Sequence, residues 1–238
     1  MTRALLGQAL DYALWCARPV TDGALHRATP CHGWDLRQLL WHLNDSLAAL
    51  RAGVDGGPVE LPPASEPAAG SGSAAASGSA AGSGSAAGSG GHPLGEFRAR
   101  ARRMRHRCQD GPRAADAVRP DPAHQAPVRP GAPRPAPGGR VATVDGWPVP
   151  ADTVALAGAL EVAVHGWDIA RTCGSPQPVP PALAAELLRA APGLVPARPD
   201  RPPLFGPPIP TPDGASHGER LVAFLGRVPY VRSGPAGR

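Results

Sequence analysis

Residues 161–168 of the chain read Glu-Val-Ala-Val-His-Gly-Trp-Asp. They lie within an apolar stretch, about Asp152 to Thr172, that predicts one long helix. Side chains four residues apart on a helix share a face, one turn from each other, so Glu161 and His165 can converge on one point. A carboxylate oxygen and an imidazole nitrogen are suitable ligands for a divalent metal such as zinc. A buried ion pair is the alternative for the same two residues.

A third candidate ligand, His42, lies on the other strongly patterned segment of the chain. This segment begins after Gly33 and runs to about Arg51, with leucines at the spacing of a core-facing amphipathic helix, at Leu36, Leu39, Leu40, Leu43, Leu47 and Leu50. His42 lies about 60° from Leu39 around the helix, so it points into a seam between helices, where bundles build metal sites. The alternative is a histidine at the edge of the core with a hydrogen-bond partner.

The rest of the sequence predicts further helices and one short hairpin, which together indicate a mainly α-helical bundle. The hairpin spans about residues 141–149 and turns at Asp145-Gly146. Gly174 is a suitable residue to end the long helix. The additional helices are expected at about Thr2 to Ala17, Pro93 to Cys108, Pro181 to Ala190 and Ser216 to Gly226. The two that follow Gly174 are extra C-terminal helices.

Three segments have compositions that oppose regular structure. Residues 67–91 are almost wholly Ala, Gly and Ser and bury too little apolar surface to offset the entropy of ordering them, which predicts a long flexible inter-helix loop. We expect this loop to interrupt a single domain formed by residues 1–66 and 92–238. Residues 112–137 and 196–212 are rich in proline and are expected to be extended or irregular.

Composition narrows the class of protein. All 24 basic residues among the 238 are arginine, the net charge is +5, and no apolar run is long enough for a membrane span. The arginines of the third helix have no interleaved aromatic residues, so we interpret them as a solvated face rather than a nucleic-acid surface. The four cysteines lack CxxC spacing, which favours a reduced, cytoplasmic setting. Abundant Arg, Gly, Pro and Ala suggest a G+C-rich, actinobacterial genome.

Two motifs carry a family resemblance. The segment 29–36, Thr-Pro-Cys-His-Gly-Trp-Asp-Leu, followed by Leu-Trp-His-Leu at 40–43, resembles the N-terminal signature of the mycothiol-dependent maleylpyruvate isomerase family. The segment 161–170 resembles its second signature, and 218–227 is similar to the end of its short actinobacterial members. The family belongs to the DinB-like superfamily, so the resemblance implies a DinB-like four-helix bundle.

The resemblance also implies a metal centre and a thiol. By resemblance, His42, Glu161 and His165 would bind a divalent metal, usually zinc, with one position left open. In the family the metal activates mycothiol, the small thiol of actinobacteria. We therefore expect a thiol-using transferase or isomerase that acts on a small electrophile, with no nucleic-acid or membrane partner. Too few residues follow Gly174 for the additional C-terminal domain of the isomerases, which argues against the isomerase reaction itself.

Two other functions stay open at this stage. One is a non-catalytic metal-binding or regulatory protein, and the other is a hydrolase whose metal activates water. The oligomeric state is also open, a homodimer being one option. Among the motif residues, Asp168 would either orient a metal ligand or pair with Arg171 or a neighbouring helix. Trp34 and Trp167 are expected in the core or seam rather than in contact with substrate, and Cys31 is expected to be a buried structural cysteine.

Overall fold

A computed structural model of the chain describes residues 1–59, 91–109, 139–195 and 205–229. The predicted flexible loop lies outside the described residues except for Gly91, and so does the whole proline-rich segment 112–137. The described residues are mainly helical, as expected. Six α-helices within these ranges share one hydrophobic core. Their bounds are α1 Thr2–Cys16, α2 Leu36–Val54, α3 Pro93–Gln109, α4 Ala151–Thr172, α5 Pro181–Leu194 and α6 His217–Phe224.

The first four helices form the predicted bundle. α1 packs against α3 and α4, and α2 packs against the same two helices, so α1 and α2 lie diagonally opposite each other. The predicted leucine stripe of α2 is buried along its whole length. α2 begins at a capping box, because the Asp35 carboxylate accepts a hydrogen bond from the Gln38 amide while the Gln38 side chain accepts one from the Asp35 amide.

Two glycines allow α4 to approach its neighbours closely. A Cβ atom added at Gly158 would lie 2.3 Å from a methyl carbon of Leu50 on α2. One added at Gly166 would lie 3.0 Å from the Cα atom of Ala13 on α1. The space beside Gly158 is therefore filled by the neighbouring helix α2. The contact at Gly158 sets the distance between α2 and α4, the helices that carry the candidate ligands.

A small sheet closes one end of the bundle. Strand β2, Val141–Val144, pairs antiparallel with β3, Trp147–Pro150, and the turn is at Asp145-Gly146, where both residues have positive φ. This confirms the predicted hairpin. A two-residue strand, β1 at Pro58–Val59, adds a parallel pairing to β2 that the sequence did not indicate.

Three arginines of α3 form ion pairs, whereas a solvated face would leave them in water. Arg100 pairs with Glu96 one turn away, Arg105 pairs with Asp11 on α1, and Arg107 pairs with Asp55 just after α2. Two of these pairs link helices, so part of the positive charge is neutralised within the fold.

The C-terminal helices pack on each other, and α5 also contacts α1 and α4. α5 extends beyond its predicted end to Leu194, with Pro192 in its last turn. Residues 205–212, the described part of the second proline-rich segment, have no helix or strand. Gly174 follows α4 with a φ of 68°, as expected of a residue that ends a helix. Over the described ranges, the chain has no helix with the length and apolarity needed to cross a membrane.

Candidate metal centre

The three predicted ligands come together between α2 and α4. His42 Nε2 lies 3.0 Å from Glu161 Oε1, and the ring centroids of His42 and His165 are 5.2 Å apart. One donor atom from each of His42, Glu161 and His165 lies within 4.8 Å of the others. Ligands held at about 2.0–2.2 Å from one zinc ion are separated by roughly 3–4 Å. Two imidazoles and a carboxylate are a suitable donor set for a divalent metal, and small side-chain rotations would bring them onto one ion.

Glu161 is the electrostatic centre of this cluster. Burial acts to raise its pKa, but the hydrogen bonds from His42 and Ser46 and the nearby charges of His165 and His42 outweigh that effect, so the pKa lies below its usual range. The carboxylate is therefore ionised at neutral pH. Ser46 lies one turn after His42 on α2, and its hydroxyl donates to the same oxygen, Oε1, that faces His42.

His165 is oriented by a hydrogen bond to a buried carboxylate. Its Nδ1 lies 3.0 Å from Oδ2 of Asp168, which is one turn further along α4. Asp168 is fully buried, and the same Oδ2 accepts a second hydrogen bond from Nη2 of Arg227 at 3.1 Å. In the neutral form of His165, a carboxylate that accepts from Nδ1–H leaves Nε2 as the nitrogen with a free lone pair. Asp168 therefore selects the nitrogen that His165 presents to the cluster.

Trp34 lies against both imidazoles. Its ring centroid is 4.7 Å from that of His42 in an edge arrangement and 6.4 Å from that of His165, with an interplanar angle of 22°. A tight turn before α2 fixes its backbone, because the Trp34 carbonyl accepts hydrogen bonds from the Thr29 amide and hydroxyl. Gly33 allows this turn through its φ of 80°.

The cluster is open on one side and closed on the other. The His42 and Glu161 side chains are 33% and 32% exposed, whereas the His165 side chain is 10% exposed and Asp168 is completely covered. Among the described residues, the cluster has three candidate ligands, His42, Glu161 and His165. A catalytic zinc site combines three protein ligands with an accessible position, and this arrangement matches that pattern.

The structure also places the other motif residues that the sequence singled out. Trp167 is buried, as expected, with the Arg171 guanidinium over its ring. The Asp168 side chain lies against the candidate ligand His165 and pairs with Arg227 in the segment after α6, whereas Arg171 lies over the Trp167 ring. Trp34 is half-buried, packs against the core and lies beside both imidazoles, which agrees with the expected position in the core or seam.

Cys31 is also only half-buried rather than fully buried. The dominant influence on its thiol is still burial, which raises its pKa.

Two residues of the site were not predicted from the sequence. Ser46 has a local signal, because it lies four residues after His42 and so shares its helical face. Arg227 has none, since 59 positions separate it from Asp168 and no periodicity connects them.

Comparison with known proteins gives one match. The family described as mycothiol maleylpyruvate isomerase N-terminal domain matches residues 6–170 of the 238-residue chain. The matched stretch contains His42, Glu161, His165 and Asp168, and it ends before Arg227. No curated protein and no solved structure matches the chain.

Proposed function

Because the chain belongs to the mycothiol maleylpyruvate isomerase N-terminal domain family, we propose that it is a metal-dependent enzyme that uses mycothiol or a similar small thiol. Its reaction would be transfer of the thiol to a small electrophile, or isomerisation of that electrophile. The observation that carries the proposal is the convergence of His42, Glu161 and His165 at a site with one exposed side.

The proposed ligands have distinct roles. Glu161 contributes the negative charge that offsets part of the charge of a divalent cation, and Ser46 and His42 hold its carboxylate in place. His165 is the buried ligand, oriented by Asp168, whereas His42 and Glu161 are both about one-third exposed. When bound, a divalent metal, zinc by preference for this donor set, would supply a Lewis acid that lowers the pKa of a thiol at its open position.

The surrounding residues favour a nucleophilic thiol step. The exposed edge at His42 and Glu161 admits a thiol and lets its proton leave to solvent, while the Trp34 ring covers the cluster from the side of the two imidazoles. The sulfur then forms a bond to the electrophilic carbon, and the electron pair displaced from the double bond of the electrophile takes up a proton. Activation of water at the same position would instead make the protein a hydrolase.

Metal content tests the first part of the proposal. Elemental analysis of purified wild-type protein should give about one divalent metal per chain, and His42→Ala and His165→Ala should each lose most of it. His92→Ala is the matched control, because His92 is an exposed histidine paired with Asp22 outside the cluster. Undiminished metal in both cluster variants would overturn the assignment of these ligands.

Thiol binding tests the second part. Calorimetry with the metal-loaded protein should detect mycothiol binding, and a panel of small electrophiles should show thiol consumption that stops when the metal is removed. Thiol transfer that persists in metal-free protein would exclude this mechanism. A metal-loaded protein that binds no mycothiol but cleaves esters or amides would be a hydrolase, and one with neither property would be a binding protein.

A further inference from the structure

A buried ion pair connects the C-terminal segment to the candidate metal centre. The Asp168 side chain is 0% exposed and that of Arg227 is 8% exposed, with Nη2 of the arginine 3.1 Å from Oδ2 of the aspartate. Charged side chains are rarely buried unless they are paired, because each loses its hydration. Each member of the pair therefore depends on the other for its charge compensation.

The backbone after α6 delivers Arg227 to this position. Gly226 has a φ of 83°, and the chain reverses there, with the Arg227 amide donating to the Val222 carbonyl at 2.9 Å. A Cβ atom at position 226 would come within 2.8 Å of the Gly206 Cα atom, so the turn is also packed against the preceding segment. Nη1 of Arg227 donates to the Leu225 carbonyl at 3.0 Å, which fixes the second arm of the guanidinium.

The pair is connected directly to a proposed ligand. One oxygen, Oδ2 of Asp168, accepts from Arg227 and lies 3.0 Å from Nδ1 of His165. Without the guanidinium, a completely covered carboxylate would lose its compensating charge and would gain by turning toward water. That movement would release the His165 ring. The position of Arg227 thus controls whether Asp168 stays against His165.

We propose that Arg227 is a positioning residue of the metal centre, which acts through Asp168 to hold His165 with Nε2 toward His42 and Glu161. The proposal rests on the proposed function, since it treats His165 as a metal ligand. It makes the C-terminal segment, residues 205–229, a part of the metal centre, although this segment lies beyond the stretch that matches the family. The competing explanation is that the pair only fastens the C-terminal helix to the bundle.

A double-mutant cycle in zinc affinity separates these explanations. The variants are Arg227→Met, Asp168→Asn and the combination, and zinc affinity is measured by competition with a chromophoric chelator. We expect Arg227→Met to weaken zinc binding by about 10-fold or more in the wild-type background. In the Asp168→Asn background the same substitution should change the affinity by less than about threefold, because its route to His165 is already lost. Equal losses in both backgrounds would overturn the proposal.

Two further variants guard against a trivial loss of folding. Arg220→Met removes an exposed arginine from α6, the helix that precedes Arg227, and should leave zinc affinity unchanged. Arg227→Lys keeps the charge, but an ammonium group lacks the two arms with which the guanidinium reaches the Leu225 carbonyl and Asp168. Its zinc affinity should therefore lie between those of wild type and Arg227→Met. If Arg227→Met does not fold, zinc affinity can still be compared between wild type, Arg227→Lys and the double variant that combines Arg227→Met with Asp168→Asn. A fully folded Arg227→Lys variant that binds zinc as weakly as Arg227→Met would contradict the proposal.

Proton NMR of the metal-free protein makes the test independent of zinc. The Nδ1–H signal of His165, assigned by its loss in His165→Gln, should be protected from exchange in wild type and exposed to exchange in Arg227→Met. An equally protected signal in both would overturn the positioning role. Failure of wild type to bind zinc would overturn the proposed function instead, and the NMR result would still decide the role of Arg227.

Discussion

A methyl group added at Gly158 tests how closely α2 and α4 must pack around the metal centre. An ideal Cβ atom at this position lies 2.3 Å and 2.6 Å from the two methyl carbons of Leu50 and 3.0 Å from its Cγ. Carbon atoms normally approach to about 3.5–4.0 Å, so either Leu50 changes rotamer or the helices separate. Leu50 is buried, and overpacking of this kind costs about 1–3 kcal/mol.

Two contributions of opposite sign determine the net effect of Gly158→Ala. Alanine is favoured over glycine inside a helix by about 1 kcal/mol, so we expect the free energy of unfolding to fall by about 0–2 kcal/mol once the overlap is included. Leu50→Ala should lower it by about 2–5 kcal/mol. In the double variant the new methyl group occupies space that Leu50 vacates. The free energy of unfolding of the double variant should therefore exceed the value expected from adding the two single effects by at least about 1 kcal/mol.

Urea unfolding followed by circular dichroism measures these free energies. A chelator must be present, because a ligand that binds the folded state raises the apparent stability. Zinc affinity provides a second readout, since His42 is on α2 and Glu161 is on α4. It should fall in Gly158→Ala and recover in the double variant. Effects that add within about 0.5 kcal/mol, with Gly158→Ala more stable than wild type, would refute the close-packing argument.

Three further predictions follow from the site and the cysteines. In metal-free protein, the lowered pKa of Glu161 contributes stability that is present above its unfolded pKa of about 4.3 and is lost as the pH falls through the lower folded value. The free energy of unfolding of Glu161→Gln should therefore depend less on pH over that window than that of wild type. The same loss of stability with falling pH in both proteins would contradict this. Ser46→Ala removes the hydroxyl that holds Glu161 and should weaken zinc binding by about 10-fold; unchanged affinity in the chelator competition would rule that role out. Burial raises the pKa of Cys16 to about 11, so at about pH 8 iodoacetamide should label it far more slowly in the native protein than in urea. Equal rates by peptide mass spectrometry would show that this thiol is accessible.

The helices of the bundle can be predicted because their signals are local. The leucine stripe of α2 predicts its buried face, and the residues Asp35 and Gln38 supply the capping box at its start. The i, i+4 spacing of Glu161 and His165 predicts that they share a face. The position of His42 at the border of the stripe predicts that it faces a seam. Each of these inferences needs only one turn of helix or a few turns of periodicity.

The rest of the site depends on contacts between distant residues. Arg227 reaches Asp168 across 59 positions, and Ser46 reaches Glu161 across 115. Helical periodicity describes the face of one helix but not which residue of another helix meets it. The place of Trp34 beside both imidazoles is hidden for the same reason, because it follows from how the turn before α2 docks on α4. The two-residue strand β1 is too short to leave a pattern.

The separation of the ligands onto α2 and α4 has a consequence for how this chain can evolve. Where the structure describes the residues between the two helices, none of them belongs to the candidate ligand cluster. The Ala, Gly and Ser run at 67–91 also lies in this connection. The entropy of closing such a connection grows with the logarithm of its length, about 0.6 kcal/mol for each doubling. On this scaling, changes in the length of the 67–91 run are expected to cost the metal centre little. Drift in length can accumulate there, while substitutions within a single turn of α2 or α4 are exposed to selection at once.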